Sequence, residues 1–245
     1  MDTKLTGKTR IESDLIGARE IPAEALYGVQ TLRGIENFSI SKFRLSEYPL
    51  FIKGLAITKM AAAMANFELG LLTVEQKDAI IAACGEILDG KHHDQFPVDM
   101  IQGGAGTTTN MNANEVIANR ALELMGHQRG EYQYCSPNDH VNRSQSTNDA
   151  YPTAIHIGLY YTHLKLVKHF EVLIESFRKK ATEFAHVIKM GRTQLEDAVP
   201  MTLGQTFNGF ASILRHEVKN LDFAAQDFLT VNMGATAIGT GITAE

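Results

Sequence analysis

The 245-residue chain reads as a mainly α protein: a mostly helical N-terminal domain over residues 1–140, followed by the first long helices of a central helical bundle over 141–245. Two long periodic stretches predict this. Apolar residues fall at 157, 160, 164, 167, 170, 174, 177, 181, 184 and 188, with gaps of three or four, as one face of a helix requires. A second series occupies 203, 207, 210, 214, 218, 221, 225 and 228. The third observation is that no convincing series of strands stands beside them. At 1.5 Å rise per residue the first helix is on the order of 50 Å long. Two such helices cannot bury their stripes alone, so a bundle or an oligomer is implied.

The elements follow in chain order. Residues 21–38, IPAEALYGVQTLRGIENF, mix Pro, Gly and isolated apolar residues and predict loop and short turns. Ser46 has the chemistry of an N-cap, and Tyr48 to Leu69 form an Ala- and Met-rich helix stopped by Gly70. Thr73 and Gln76 form a capping box for a helix ending near Asp89 and Gly90. GGAGTTTN (103–110) is a polar glycine-rich loop, and Asn112 with Glu115 marks a helix running to about Met125. Residues 126–142 are irregular, and Thr202 with Gln205 caps the second long helix. The closing VNMGATAIGTGITAE (231–245) is a glycine-rich loop, and the chain reads as the first part of something longer.

The totals narrow the function. The chain is 44% hydrophobic and 21% charged with a net charge of -5, a globular mix without the basic footprint of a nucleic-acid binder. No run approaches the roughly 18 consecutive apolar residues of a membrane span, and the N-terminus lacks the apolar core of a secretory signal. Cys84 and Cys135 stand far apart, which disfavours a disulfide framework or a cysteine zinc site. A soluble cytoplasmic protein is the expectation.

Three polar loops carry the chemistry: GGAGTTTN, SQSTND (144–149) and GRTQLEDAVP (191–200), each at or shortly before a helix start. A helix N-terminus offers free N–H groups and a partial positive charge, and Ser, Thr and Asn side chains add donors. An anion can sit there. Ordinary capping explains any one of the loops; three together favour a site for a small dicarboxylate. Other clusters read more plainly. His156, His163 and His169 lack the spacing of an HExxH zinc site. His92, His93 and Asp94 form a solvated helix-end cluster, Arg178, Lys179 and Lys180 a wet helix face, and Met60 and Met64 packing. GGAG lacks the GxGxxG pattern of a dinucleotide loop. No metal-ligand cluster is visible.

GGAGTTTNMNANEV, SPNDHVNRSQSTNDAYPT and GRTQLEDAVPMTLGQ, with YGVQTLRGIENF and GATAIGTG, together resemble the aspartase/fumarase superfamily over nearly the whole chain. The resemblance implies elimination of ammonia from L-aspartate to give fumarate, through an aci-carboxylate dianion and without an organic cofactor. Activation by a divalent cation is left open. By similarity Thr107, Ser146 and Thr147 hold the carboxylate beside the acidic carbon, and Asn148, Thr193 and Gln194 surround the amino group. Three details favour the aspartase branch over class II fumarate hydratase: STND where fumarases read SSND, and Gln194 and Ser136 where fumarases carry His. A Gln cannot exchange a proton with water as His can. The family's base-bearing loop, approximately GSSIMPGKVNP, is absent, so no catalytic residue is assigned within these residues. His140 and Asp149 titrate and lie close in sequence, but neither is promoted to the role of base. Asp149 reads as a first-turn acid interacting with the helix dipole. The family's homotetramer, with active sites built from three subunits, implies that these 245 residues alone are inactive and poorly soluble; steady turnover of L-aspartate by them would overturn that. A non-catalytic truncated helical protein that only assembles with others is the other reading.

Overall fold

The computed structural model describes residues 7–244 and resolves into two compact units, one running to Leu159 and including Val231 onward, the other Tyr160–Thr230. The chain is mainly helical. In the first unit, β1 (Thr9–Asp14) and β2 (Gly17–Pro22) form an antiparallel hairpin. Then come α1 (Val29–Asn37), α2 (Pro49–Glu68), α3 (Val74–Leu88) and α4 (Thr107–Leu124). A short π-helix, Pro137–Val141, precedes α5 (Thr147–Glu183), which runs on into the second unit.

The first unit's core is the face shared by α2, α3 and α4. Ile52, Leu55, Ile80, Ile87, Ile117 and Leu122 are all buried there. Helix α2 is long and apolar enough by length and composition to cross a membrane, but much of it is buried in this core. Two glycines let α2 lie against the start of α5: a Cβ on Gly54 would overlap the Ala154 carbonyl oxygen, and one on Gly158 would meet Phe51 Cα at 3.1 Å.

Several expectations hold locally. Thr73 and Gln76 form their capping box on α3, and Thr202 and Gln205 form theirs on α6 (Leu203–Ala225). Other boundaries move. Residues 29–37, expected as loop, form α1; two turns are too short to show a period, and Gly34 sits mid-helix because the Thr108 methyl fills the place of its Cβ. Helix α2 starts after Tyr48 with Pro49 at its first position, while Ser46 lies in a 3-10 turn. Helix α4 starts at Thr107, five residues before Asn112, because left-handed Gly106 opens it without a side-chain cap. Asn112 instead donates to the Gln95 carbonyl. Glu115 caps a different helix, accepting from Gly28 N, Gln30 N, Thr31 N and Thr31 Oγ1 at the start of α1.

The second unit holds the rest of α5, a hairpin of β3 (Ile188–Thr193) and β4 (Glu196–Thr202), and α6. GRTQLEDAVP is therefore a hairpin rather than a loop, with a register shift between Met190 and Arg192 and Thr193 paired to Glu196. Its two-residue turn, Gln194 and Leu195, is left-handed at both positions, with φ of 49° and 71°. Such turns usually announce themselves with Asn-Gly, which is why the hairpin is hidden in the sequence. Phe177, Phe184, Phe207 and Phe210 stack between α5 and α6. Apolar side chains stay open both on the stripes, at Leu164 and Phe210, and beside them, where Val172 is 67% exposed, Ile213 61% and Phe223 82%. Met60 packs against the first unit's core, whereas Met64 is exposed.

Candidate active site

In the first unit the N-termini of α4 and α5 abut. The Tyr151 ring lies where a Cβ on Gly106 would be, 2.6 Å away, so only glycine fits at the entrance to α4. Three residues into α4, Asn110 Nδ2 donates to Thr147 Oγ1 at 3.2 Å. These contacts bring Thr107, Ser146, Thr147 and Asn148 to adjoining helix starts.

SQSTND opens α5 as a reciprocal cap. Ser146 Oγ accepts from Asn148 N at 3.2 Å, and Asp149 Oδ1 accepts from Ser146 N at 2.9 Å. A hydroxyl that accepts from the protein keeps its own O–H for another partner. Ser146 and Thr147 both stand in that state. Thr107 differs: its hydroxyl donates to the Gly104 carbonyl at 2.7 Å. Gly104, Ala105 and Gly106 are successively left-handed, with φ of 74°, 50° and 92°.

The glycine-rich segment after Val231 is fastened to the same helix start. Pro152 lies inside α5 and has no N–H for the Asn148 carbonyl one turn back. Asn232 Nδ2 supplies the missing donor at 3.0 Å. Asn148 Nδ2 donates to the Ala237 carbonyl at 2.8 Å, and Asp149 Oδ2 accepts from Thr236 N at 2.9 Å. Asp149 is thus buried with both oxygens engaged. His140 Nδ1 accepts from Ser136 N at 2.7 Å, and burial pushes its pKa down.

Beneath SQSTND lies a residue that the motifs do not announce. Lys59, on α2, is fully buried. Its Nζ donates to Asn110 Oδ1 at 2.7 Å, Asn142 Oδ1 at 2.8 Å and Gln145 Oε1 at 3.0 Å. Three acceptors match the three hydrogens of an ammonium. The amides are oriented by their own donations: Asn142 Nδ2 to the Gln145 carbonyl, and Gln145 Nε2 to the Val141 and Arg143 carbonyls. Burial lowers the Lys59 pKa to about 7, opposed by the negative charge of Asp149. The neighbouring Cys84 thiol, pushed up to about 12 by burial, is neutral at pH 7 and offers no counter-charge. The only sequence sign of Lys59 is a single charge inside the apolar run ITKMAAAMAN.

Thr193 and Gln194 lie in the second unit, at the tip of the β3–β4 hairpin, where both are exposed. Of the histidines on α5, His163 is buried to 9% exposure and paired with Asp222 on α6 at 2.9 Å. His92 and His93 are partly buried and bonded to Glu86 and the Ile87 carbonyl. Among the described residues no group of three or more His, Cys, Asp or Glu side chains is placed to hold a metal ion.

A family model described as Lyase matches residues 17–245. The aspartate ammonia-lyase of Escherichia coli (strain K12) is 59% identical over 239 residues, covering 97% of this chain and 50% of the relative. That of Helicobacter pylori (strain ATCC 700392 / 26695) is 59% identical over 233 residues, covering 95% and 50%. Among solved structures, the fumarate lyase:delta crystallin of Brucella melitensis bound to cobalt superposes with a TM-score of 0.92 at 52% identity, covering 97% of this chain and 52% of that one. The class II fumarase of Schistosoma mansoni gives 0.90 at 37% identity, covering 97% and 50%. The chain spans about half the length of these relatives. With the match extending from the second strand to the last residue, the chain belongs to this lyase family, that of the aspartases and fumarases.

Proposed function

We propose that the full-length protein is an aspartate ammonia-lyase, eliminating ammonia from L-aspartate to give fumarate. The observation that carries this reading is the pair of abutting helix starts, at which Ser146 and Thr147 keep their O–H groups available. A base removes the proton next to one carboxylate, and the electron pair spreads into that carboxylate as an aci-dianion. Collapse of the dianion forms the C=C bond and breaks the C–N bond, releasing ammonia. Donors aimed where charge develops lower this barrier. Thr107, Ser146 and Thr147 hold that carboxylate in this reading. Thr107 does so once its hydroxyl leaves the Gly104 carbonyl.

Asn148 faces the amino group: its Nδ2 is occupied by Ala237, which leaves the Oδ1 acceptor for an ammonium. Thr193 and Gln194 complete the amine side, and their exposed hairpin tip suits a role completed by another part of the assembly. The reaction needs no organic cofactor. The exposed apolar residues of α5 and α6 favour a homotetramer whose long helices share one bundle. Two buried free thiols suit a reducing, cytoplasmic setting.

The test is fumarate formation, followed by absorbance, from L-aspartate and from L-malate with the full-length protein. Turnover of aspartate is expected; turnover of malate alone makes it a hydratase, and turnover of neither removes the lyase reading.

A further inference from the structure

Lys59 poses a problem that ordinary packing does not answer. Burying an ammonium is costly unless it is well paired, yet no carboxylate among the described residues lies within ion-pair distance of it. Its three partners are neutral amides. A carboxylate would have neutralised the charge. Amides satisfy its hydrogens and pass its polarisation onward, because hydrogen bonds in a chain strengthen one another in a low-dielectric interior. One of these chains has a clear direction. Lys59 Nζ donates to Asn110 Oδ1, and Asn110 Nδ2 donates to Thr147 Oγ1. Thr147 O–H is then left to donate outward, at the start of α5. The negative charge of Asp149 acts on Lys59 without a direct contact, since its oxygens accept from Ser146 N and Thr236 N.

We propose that the buried Lys59 ammonium is a positioning residue that polarises the Thr147 hydroxyl through the Asn110 amide, making it a better donor to a developing dianion than to a resting carboxylate. This rests on the lyase reading above. Differential stabilisation of that kind raises kcat rather than ground-state affinity. The depressed pKa of Lys59 fits a charge held at a cost where its field is used.

Two ligands separate the two effects. Succinate carries the charge of the ground-state dicarboxylate. 3-Nitropropionate in its ionised nitronate form carries the charge distribution of the aci-dianion. Both are to be titrated against full-length wild-type protein and the Lys59→Met and Asn110→Ala variants, alongside aspartate turnover and thermal unfolding. Removing a direct donor costs about 10²–10³-fold in rate, so one step back along the chain a loss on the order of 10-fold or more in nitronate affinity is expected. Succinate affinity should change by no more than about 3-fold. Asn110→Ala keeps the cation and cuts the relay, so it must show the same selective loss; it decides the matter if Lys59→Met does not fold. Equal weakening of both ligands, or no change in either, by folded variants of an active protein overturns the role of Lys59 alone. A wild-type protein that does not turn over aspartate overturns the lyase reading itself.

Discussion

Replacing Thr147 with Val separates catalysis from capping, because the two roles fall on different atoms. The cap of α5 belongs to Ser146 and Asp149, so Thr147→Val leaves it intact. The group left behind is Asn110 Nδ2, which keeps Asn142 Oδ1 as a partner at 3.1 Å. No buried donor is wholly orphaned, and the partly exposed site fits the near-isosteric Val, so the stability loss should stay within about 1 kcal/mol. The outward O–H is lost completely. One donor of that kind is worth about 2.7–4 kcal/mol in the transition state, so kcat for L-aspartate should fall about 10²–10³-fold. The assay is initial-rate fumarate formation by the full-length variant, with KM and an unfolding curve measured on the same preparation. A fall of less than about 3-fold would refute the assignment. So would a loss of activity that simply follows a lowered unfolding midpoint. Ser146→Ala is a poorer test, since it removes a donor and a helix cap together, the cap alone costing about 1 kcal/mol.

Gln194→His should raise turnover of malate relative to aspartate, because an imidazole can exchange a proton with water; an unchanged ratio removes Gln194 from substrate choice. Asp149→Asn can accept on one oxygen only, so either Ser146 N or Thr236 N loses its partner. A stability loss of about 1–3 kcal/mol and faster proteolysis in residues 231–244 are expected, and resistance equal to the wild type would contradict it. Glu86 accepts two hydrogen bonds from Arg120, which hold its pKa near 2 against an ordinary 4.5. The folded carboxyl therefore binds a proton less readily than the unfolded one. Its stabilising contribution is present above pH 4.5 and lost as pH falls towards 2. Glu86→Gln should flatten unfolding midpoints over that window, and an unchanged slope would refute the link.

The sequence reveals those parts of this fold whose causes are local. The body of the long α5 stripe, the Thr73–Gln76 and Thr202–Gln205 boxes, and the stops at Gly70 and Gly90 depend on neighbours within a turn or two, and they are where the spacing puts them, although α5 ends at Glu183 and Ile188, read from the spacing as its last apolar position, opens β3. What the sequence conceals has distant causes. Helix α1 is capped by Glu115 from 84 to 87 residues away. Helix α4 opens on a left-handed glycine pressed against Tyr151. The β3–β4 hairpin turns on Gln-Leu, a pair with no turn signature.

The site divides the same way. Ser146, Thr147 and Asn148 are visible because capping chemistry and anion binding use the same residue types. Lys59 is not, because a lone lysine in an apolar helix carries no motif. Its meaning comes from Asn110, Asn142 and Gln145, which the fold brings to it from two other segments.

A crystal structure of the full-length protein with succinate bound tests the carboxylate site at the start of α5 outright. One carboxylate is expected within hydrogen-bond distance of the Ser146 and Thr147 hydroxyls, with Thr107 Oγ1 turned from the Gly104 carbonyl towards it. A succinate bound elsewhere, with Thr107 still donating to Gly104 and nothing at the start of α5, would contradict it.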